Sequence, residues 1–194
     1  MNRYSCPEVH RAHRSAIVWK SARWLLARTG WQLAGEFPDQ PRLILALGPH
    51  TSNWDFAVGL TTMLALDARM HWLGKHTLFR PPVGRWLMRL GGIPVNRTRP
   101  EGLAERIASE LTASEAMVIT ITPEGTRKKV PRLKTGFLRI AKAVGCPVLP
   151  VTLDFDRRHI GIEPLFWPGD DFEEDAEAIR KIFARSAPKR PECF

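Results

Sequence analysis

The sequence predicts an α/β fold with a mostly parallel sheet flanked by helices. Three observations predict it. Short apolar runs of strand length alternate with longer amphipathic runs from residue 43 to residue 164, and strands that take turns with helices are joined by crossovers that leave them parallel. Clusters of polar and charged residues follow three of the apolar runs, at 47, 96 and 122, where open α/β sheets gather their sites. The 194 residues are 44% hydrophobic, enough for one sizeable core, and no linker-like stretch divides them.

The first element is residues 9–34, VHRAHRSAIVWKSARWLLARTGWQLA, which reads as an N-terminal basic amphipathic helix. Ile17, Trp24 and Trp31 recur at seven-residue spacing, with Arg11, Arg14, Lys20, Arg23 and Arg28 between them. Tryptophan beside arginine suits a lipid headgroup layer, where an amphipathic ring and a snorkelling cation both find favourable surroundings. The same residues also suit a core-packed helix with a solvated basic face. Residues 1–40 are therefore set apart as an N-terminal membrane-associating helical segment, and 41–194 as the main domain.

The alternation then predicts a strand at 43–47, a helix at 54–68, a strand at 70–74, a short helix at 83–90 and a strand at 92–96. A helix at 100–113, a strand at 116–122, a helix at 132–144 and strands at 147–154 and 159–164 follow. In the tail, DDFEEDAEAIRKIFARSA, acids open and bases close the run as a helix dipole favours. Phe172, Ile179 and Phe183 share one face of it, so it reads as a structural docking helix.

Composition narrows the partners. A net charge of +9 points to an anionic one: a phospholipid surface, a phosphorylated metabolite, an acidic carrier protein or nucleic acid. Nucleic acid is disfavoured by a single tyrosine, by the lack of a recognisable motif and by bases gathered in loops. Cys6, Cys146 and Cys193 offer neither a disulfide framework nor a zinc spacing, which suits a reducing compartment. The first 20 residues lack the apolar stretch of a secretory signal, and no run approaches a membrane span. Any membrane contact is expected to be peripheral, on the cytoplasmic face.

The three polar loops carry the chemistry. GPHTSNWDF, residues 48–56, places His50 five residues before Asp55. Neutral histidine is well suited to take a proton from an alcohol near pH 7, and a carboxylate on its other nitrogen fixes the tautomer and stabilises the cation. Five residues on a continuous helix leave two side chains about 140° apart. The pair therefore works only with His50 in the loop and Asp55 in the first helical turn. The alternative is that Asn53 or Asp55 is only a helix cap. Ser52 lacks the setting of a serine nucleophile. In the second loop, GGIPVNRTRP, Arg97 and Arg99 can grip phosphate at a strand end. The third, TPEGTRKKVPRLKTG, holds Glu124, Gly125, Thr126, Arg127 and Lys134, a set suited to a polar ligand with hydroxyl and phosphate groups.

In this order the loops resemble the glycerolipid acyltransferase family. HTSNWD is similar to its His-x-x-x-x-Asp motif, GGIPVNR to its second motif, PEGTR to its third and VLPVTL to its fourth, over residues 43–154. The resemblance implies a glycerol-3-phosphate acyltransferase-like fold, with residues 41–194 as an acyltransferase domain. It also implies acyl transfer from an acyl-CoA or acyl carrier protein co-substrate to the hydroxyl of a lysophospholipid such as 1-acylglycerol-3-phosphate. His50 would be the general base and Asp55 its orienting partner, both catalytic. Arg97, Glu124, Gly125, Thr126, Arg127 and Lys134 would bind substrate, with no metal and no resident cofactor. The TSNW interior is less usual, so another lysolipid or a lipid-linked amino acid derivative stays open as acceptor. Two other classes also fit parts of the sequence: a non-catalytic module that binds anionic membranes, and a hydrolase using His50, Asp55 and Glu124 as metal ligands.

Overall fold

The computed structural model describes residues 4–96 and 102–194. Seven strands, β1 (Gln32–Ala34), β2 (Arg42–Gly48), β3 (His71–Lys75), β4 (Gly92–Val95), β5 (Met117–Ile121), β6 (Val148–Asp154) and β7 (His159–Ile162), form one sheet. Its order is β1-β7-β6-β2-β5-β3-β4, and every pairing is parallel except that of β6 with β7. The central strands β2 and β6 are buried along almost their whole length. A strand covered on both faces needs apolar side chains at successive positions, which is why RLILALG and VLPVTL lack the polar alternation of a half-exposed strand.

Six helices, α1 (Ala16–Arg28), α2 (Asn53–Ala65), α3 (Val83–Arg89), α4 (Leu103–Ala113), α5 (Gly136–Val144) and α6 (Phe172–Phe183), accompany the sheet. Successive strand residues face opposite layers. Leu43, Leu45 and Leu47 pack with Ala22 and Leu26 of α1 and Val58 and Met63 of α2. Ile44 and Ala46 pack on the other face with Leu111 of α4, Phe137 of α5 and Phe183 of α6. The sheet expected from the alternation is thus the middle layer of three. β2 and β5 are neighbours, yet α2 leaves β2 on one face and α5 leaves β5 on the other. Their carboxyl ends open a crevice at this switch point.

The N-terminal stretch differs from the expected helix over 9–34. Helix α1 stops at Arg28, because Gly30 turns the chain at φ +78°, and Trp31 then leads into β1, an edge strand missed in the sequence. Trp31 is buried against Phe155 and does not share a face with Trp24. Arg14 and Arg23 also point inward, and Arg11 is exposed but paired. Arg11 and Arg14 lie 3.6 Å from buried Asp67, and Arg23 donates to the carbonyls of Ala65 and Tyr4 while stacking 4.4 Å from the Trp19 ring. Among the described residues no helix is long and apolar enough to cross a membrane.

Helix α6 fixes the end of β2. A Cβ added to Gly48 would fall 2.4 Å from the ring of fully buried Phe183, well inside contact distance. Gly48→Ala is therefore expected to destabilise the fold by about 1–3 kcal/mol through overpacking, read as a fall in Tm. Adding Phe183→Leu should recover part of that loss; a double variant less stable than the sum of its single changes would refute the contact.

Candidate active site

The loop that joins β2 to α2 carries His50, and the first turn of α2 carries Asp55. Their nearest atoms, His50 Nδ1 and Asp55 Oδ2, are 3.1 Å apart. The sequence required this arrangement, with the histidine outside the helix and the aspartate inside it. Asp55 has no exposed surface. Its Oδ2 accepts the backbone N–H groups of Thr51 and Ser52, each at 2.7 Å, and its Oδ1 accepts the Ser52 hydroxyl at 3.0 Å. Ser52, and neither Asn53 nor Asp55, is the helix cap: its Oγ accepts the N–H of Trp54 at 3.1 Å, completing a capping box with Asp55. The Ser-x-x-Asp spacing of that box is visible in the sequence. Asp55 therefore completes the capping box and faces the imidazole with one carboxylate.

His50 Nδ1 is buried and makes no well-directed hydrogen bond, despite its distance from Asp55. Catalytic hydrogen bonds are commonly long or poorly aligned until substrate binds. Because Nδ1 is inaccessible and the side chain as a whole is 17% exposed, Nε2 is the nitrogen an acceptor can reach.

Glu124, in the loop that follows neighbouring β5, holds the same loop from its other side. Its two carboxylate oxygens accept the backbone N–H of His50 at 2.8 and 3.1 Å. The residue is buried, and burial pushes its pKa up to about 8, helped by the Asp55 charge and opposed by the bond from His50. This carboxyl therefore holds the His50 loop in place, a contact between distant segments that the sequence did not suggest.

The rest of the third loop folds back over this point. Gly125, at φ +67°, closes a turn onto the Thr122 carbonyl, and the Lys134 side chain lies over it. The Lys134 N–H donates to the Pro123 carbonyl at 3.0 Å, so residues 132–135 belong to the loop and α5 begins only at Gly136. Arg127 is exposed and donates to Asn53 Oδ1 in the first turn of α2, while the Thr126 hydroxyl oxygen accepts the Lys128 N–H at 3.3 Å. Asn53 as a partner for Arg127 had no signal in the sequence beyond its place in the motif. The same is true of Thr51, whose Oγ1 accepts the N–H of Arg190 from the C-terminal segment. Arg97 lies outside the described residues. Among the described residues no three His, Cys, Asp or Glu side chains are grouped as a metal site would need.

An apolar cavity of about 90 Å³ adjoins the pair between α2 and the sheet. Asp55, Phe56, Gly59, Leu47, Met63 and Trp72 are among its walls. Together these features form an acid-held histidine, a cationic rim and a greasy recess, which suits transfer of an apolar acyl group to a polar, anionic acceptor.

Comparisons with known proteins identify the family. A family model described as Acyltransferase matches residues 34–154. Over 110 residues the chain is 34% identical to a chloroplastic 1-acyl-sn-glycerol-3-phosphate acyltransferase of Brassica napus, covering 54% of this chain and 32% of that protein. A second such protein, from Arabidopsis thaliana, is 31% identical over 110 residues, or 54% of this chain and 31% of the relative. The matched region thus spans about a third of the length of these plant proteins. The fold resembles the crystal structure of the 1-acyl-sn-glycerophosphate acyltransferase PlsC from Thermotoga maritima, with a TM-score of 0.63 and 21% identity over 87% of this chain and 76% of that one.

Glu124→Ala leaves the buried His50 N–H unpaired, so about 1–3 kcal/mol of stability should go, together with much of kcat. Glu124→Gln keeps one accepting oxygen and should retain more of both. The pH dependence separates them further. A carboxyl whose pKa rises from 4.5 to about 8 on folding stabilises the protein most at low pH and loses that contribution as pH climbs between those values. Melting of the wild type should therefore show a decline across this window that Glu124→Gln lacks; identical profiles would place the titration elsewhere.

Proposed function

The chain belongs to the acyltransferase family, and from that premise we propose that it moves a fatty acyl group from a thioester donor, acyl-CoA or acyl carrier protein, to a lysophospholipid hydroxyl. The observation that carries this reading is His50 Nδ1 held 3.1 Å from a fully buried carboxylate, with the other ring nitrogen left for substrate. In this account the acceptor hydroxyl gives its proton to His50 Nε2 as its oxygen bonds to the thioester carbonyl carbon. The C–S bond then breaks, and the leaving thiolate recovers the proton from the imidazolium. Free thiols have pKa values near 8.5, so departure of the thiolate needs less help than an alkoxide would. The Asp55 carboxylate stabilises the imidazolium in between.

The remaining features support an anionic lipid as acceptor. Arg127 and Lys134 provide cations beside the catalytic loop, and Arg127 is held toward it by Asn53. A guanidinium fork there would grip a phosphate such as that of 1-acylglycerol-3-phosphate. The apolar cavity beside Asp55 would receive the acyl chain, and its depth would set chain length. Ile17, Trp24 and Leu25 are exposed on α1, which suits peripheral association with an anionic membrane on its cytoplasmic face.

The test is an assay of thiol release from acyl-CoA and acyl carrier protein thioesters with a panel of lysolipids. Wild type should turn over at least one pair. His50→Ala should lower kcat by on the order of 10² to 10⁴, the usual contribution of a positioned base. Asp55→Asn should also be severe, because an amide can hold the wrong tautomer and carries no charge for the imidazolium. A folded His50→Ala protein with near wild-type turnover would refute the mechanism, and no turnover with any pair would favour a non-catalytic module.

A further inference from the structure

Residues 68–100 contain seven lysines and arginines and no acid, the longest acid-free stretch in the chain. Within it, α3 and the 3-10 turn before it (His76–Phe79) sit beside the edge strand β4. Gly84 and Leu87, three apart on α3, form its buried face. Trp86 and Val83 share the next stretch of helix surface, and Arg85 and Arg89, four apart, share another. Trp86 is 53% exposed, and Leu78, Val83 and Met88 are also exposed. Ion pairs among the described residues involve arginines 11, 14, 106 and 180, Lys142 and two histidines. Arg80, Arg85 and Arg89 are in none of them.

We propose that α3 and the turn before it form a second membrane-docking surface, which binds the headgroup layer of an anionic lipid bilayer. The chemistry is that of an interfacial helix: apolar side chains enter the acyl boundary while arginines reach anionic headgroups. Helix α1 offers the same kind of surface, but its Arg23 is engaged within the protein, as are Arg11 and Arg14 in the segment before it. The α3 surface is also continuous with the site. The Trp72 ring stacks on Phe79 with centroids 5.6 Å apart and meets Phe56 of α2 at 4.7 Å. Phe56 and Trp72 both line the cavity beside Asp55, so an aromatic path leads from α3 to the recess. The choice of a bilayer over an acidic protein rests on the lipid substrates argued above.

The test is flotation of the intact protein with vesicles of phosphatidylcholine alone and of phosphatidylcholine with phosphatidylglycerol. Arg85→Ala/Arg89→Ala should bind the anionic vesicles about thirtyfold more weakly than wild type, at about fivefold for each arginine near the surface. Trp86→Ala should weaken binding to both kinds. Each variant should melt as wild type does and keep turnover of a lysolipid dispersed in detergent. Folded variants that float like wild type overturn the proposal, as do variants that lose detergent turnover along with flotation. Variants that keep vesicle binding but lose affinity for acyl carrier protein also overturn it, and assign the surface to an acidic protein. A wild type that floats through α3 yet turns over no lysolipid contradicts the proposed function while leaving this surface in place.

Discussion

A carboxylate with no exposed surface must find compensation for its charge inside the protein, and for Asp55 every hydrogen-bond donor comes from the loop just before it. Two backbone N–H groups and one hydroxyl close on it, each bond to a charged group contributing about 1.5–3 kcal/mol. The N-terminus of α2 favours the negative charge as well. Loop and helix are thereby fastened to each other, and His50 is fastened to both. A shift of the helix would carry the imidazole with it, so the packing of α2 on the sheet also positions His50.

Glu124 completes the frame from the adjacent strand. One loop then lies between two buried carboxyl groups, which would repel each other if both were ionised. The pKa of Glu124, raised to about 8 chiefly by burial, relieves this conflict by favouring its neutral form. The sheet order makes the arrangement possible, because β2 and β5 are neighbours whose following helices leave on opposite faces. Phe183 against Gly48 and the Arg190 N–H on Thr51 bring the C-terminal segment to the same loop. Residues far apart in sequence thus stabilise one turn of chain.

Much of this was legible in the sequence, because strand and helix periodicity are local properties and the motif spacing already required His50 in the loop and Asp55 in the helix. The alternation from residue 43 onward foretold the sheet and its flanking helices. What could not be read depended on contacts between distant segments. β1 is three residues long and is a strand only because β7 pairs with it. Arg14 and Arg23 read as headgroup ligands until Asp67 and the Ala65 carbonyl supply partners. The Glu124 carboxylate meets the His50 backbone only because β5 lies in register beside β2, a contact no local pattern announces.

The proposed mechanism requires that Asp55 hold His50 with its proton on Nδ1, leaving Nε2 free to accept one. Nitrogen-15 NMR of the ring, recorded on the folded protein above the imidazole pKa, reports this directly. Wild type should show a protonated Nδ1 and an unprotonated Nε2, with the preference lost in Asp55→Asn. A wild-type spectrum with the proton on Nε2, or with both tautomers equally populated, would contradict that mechanism.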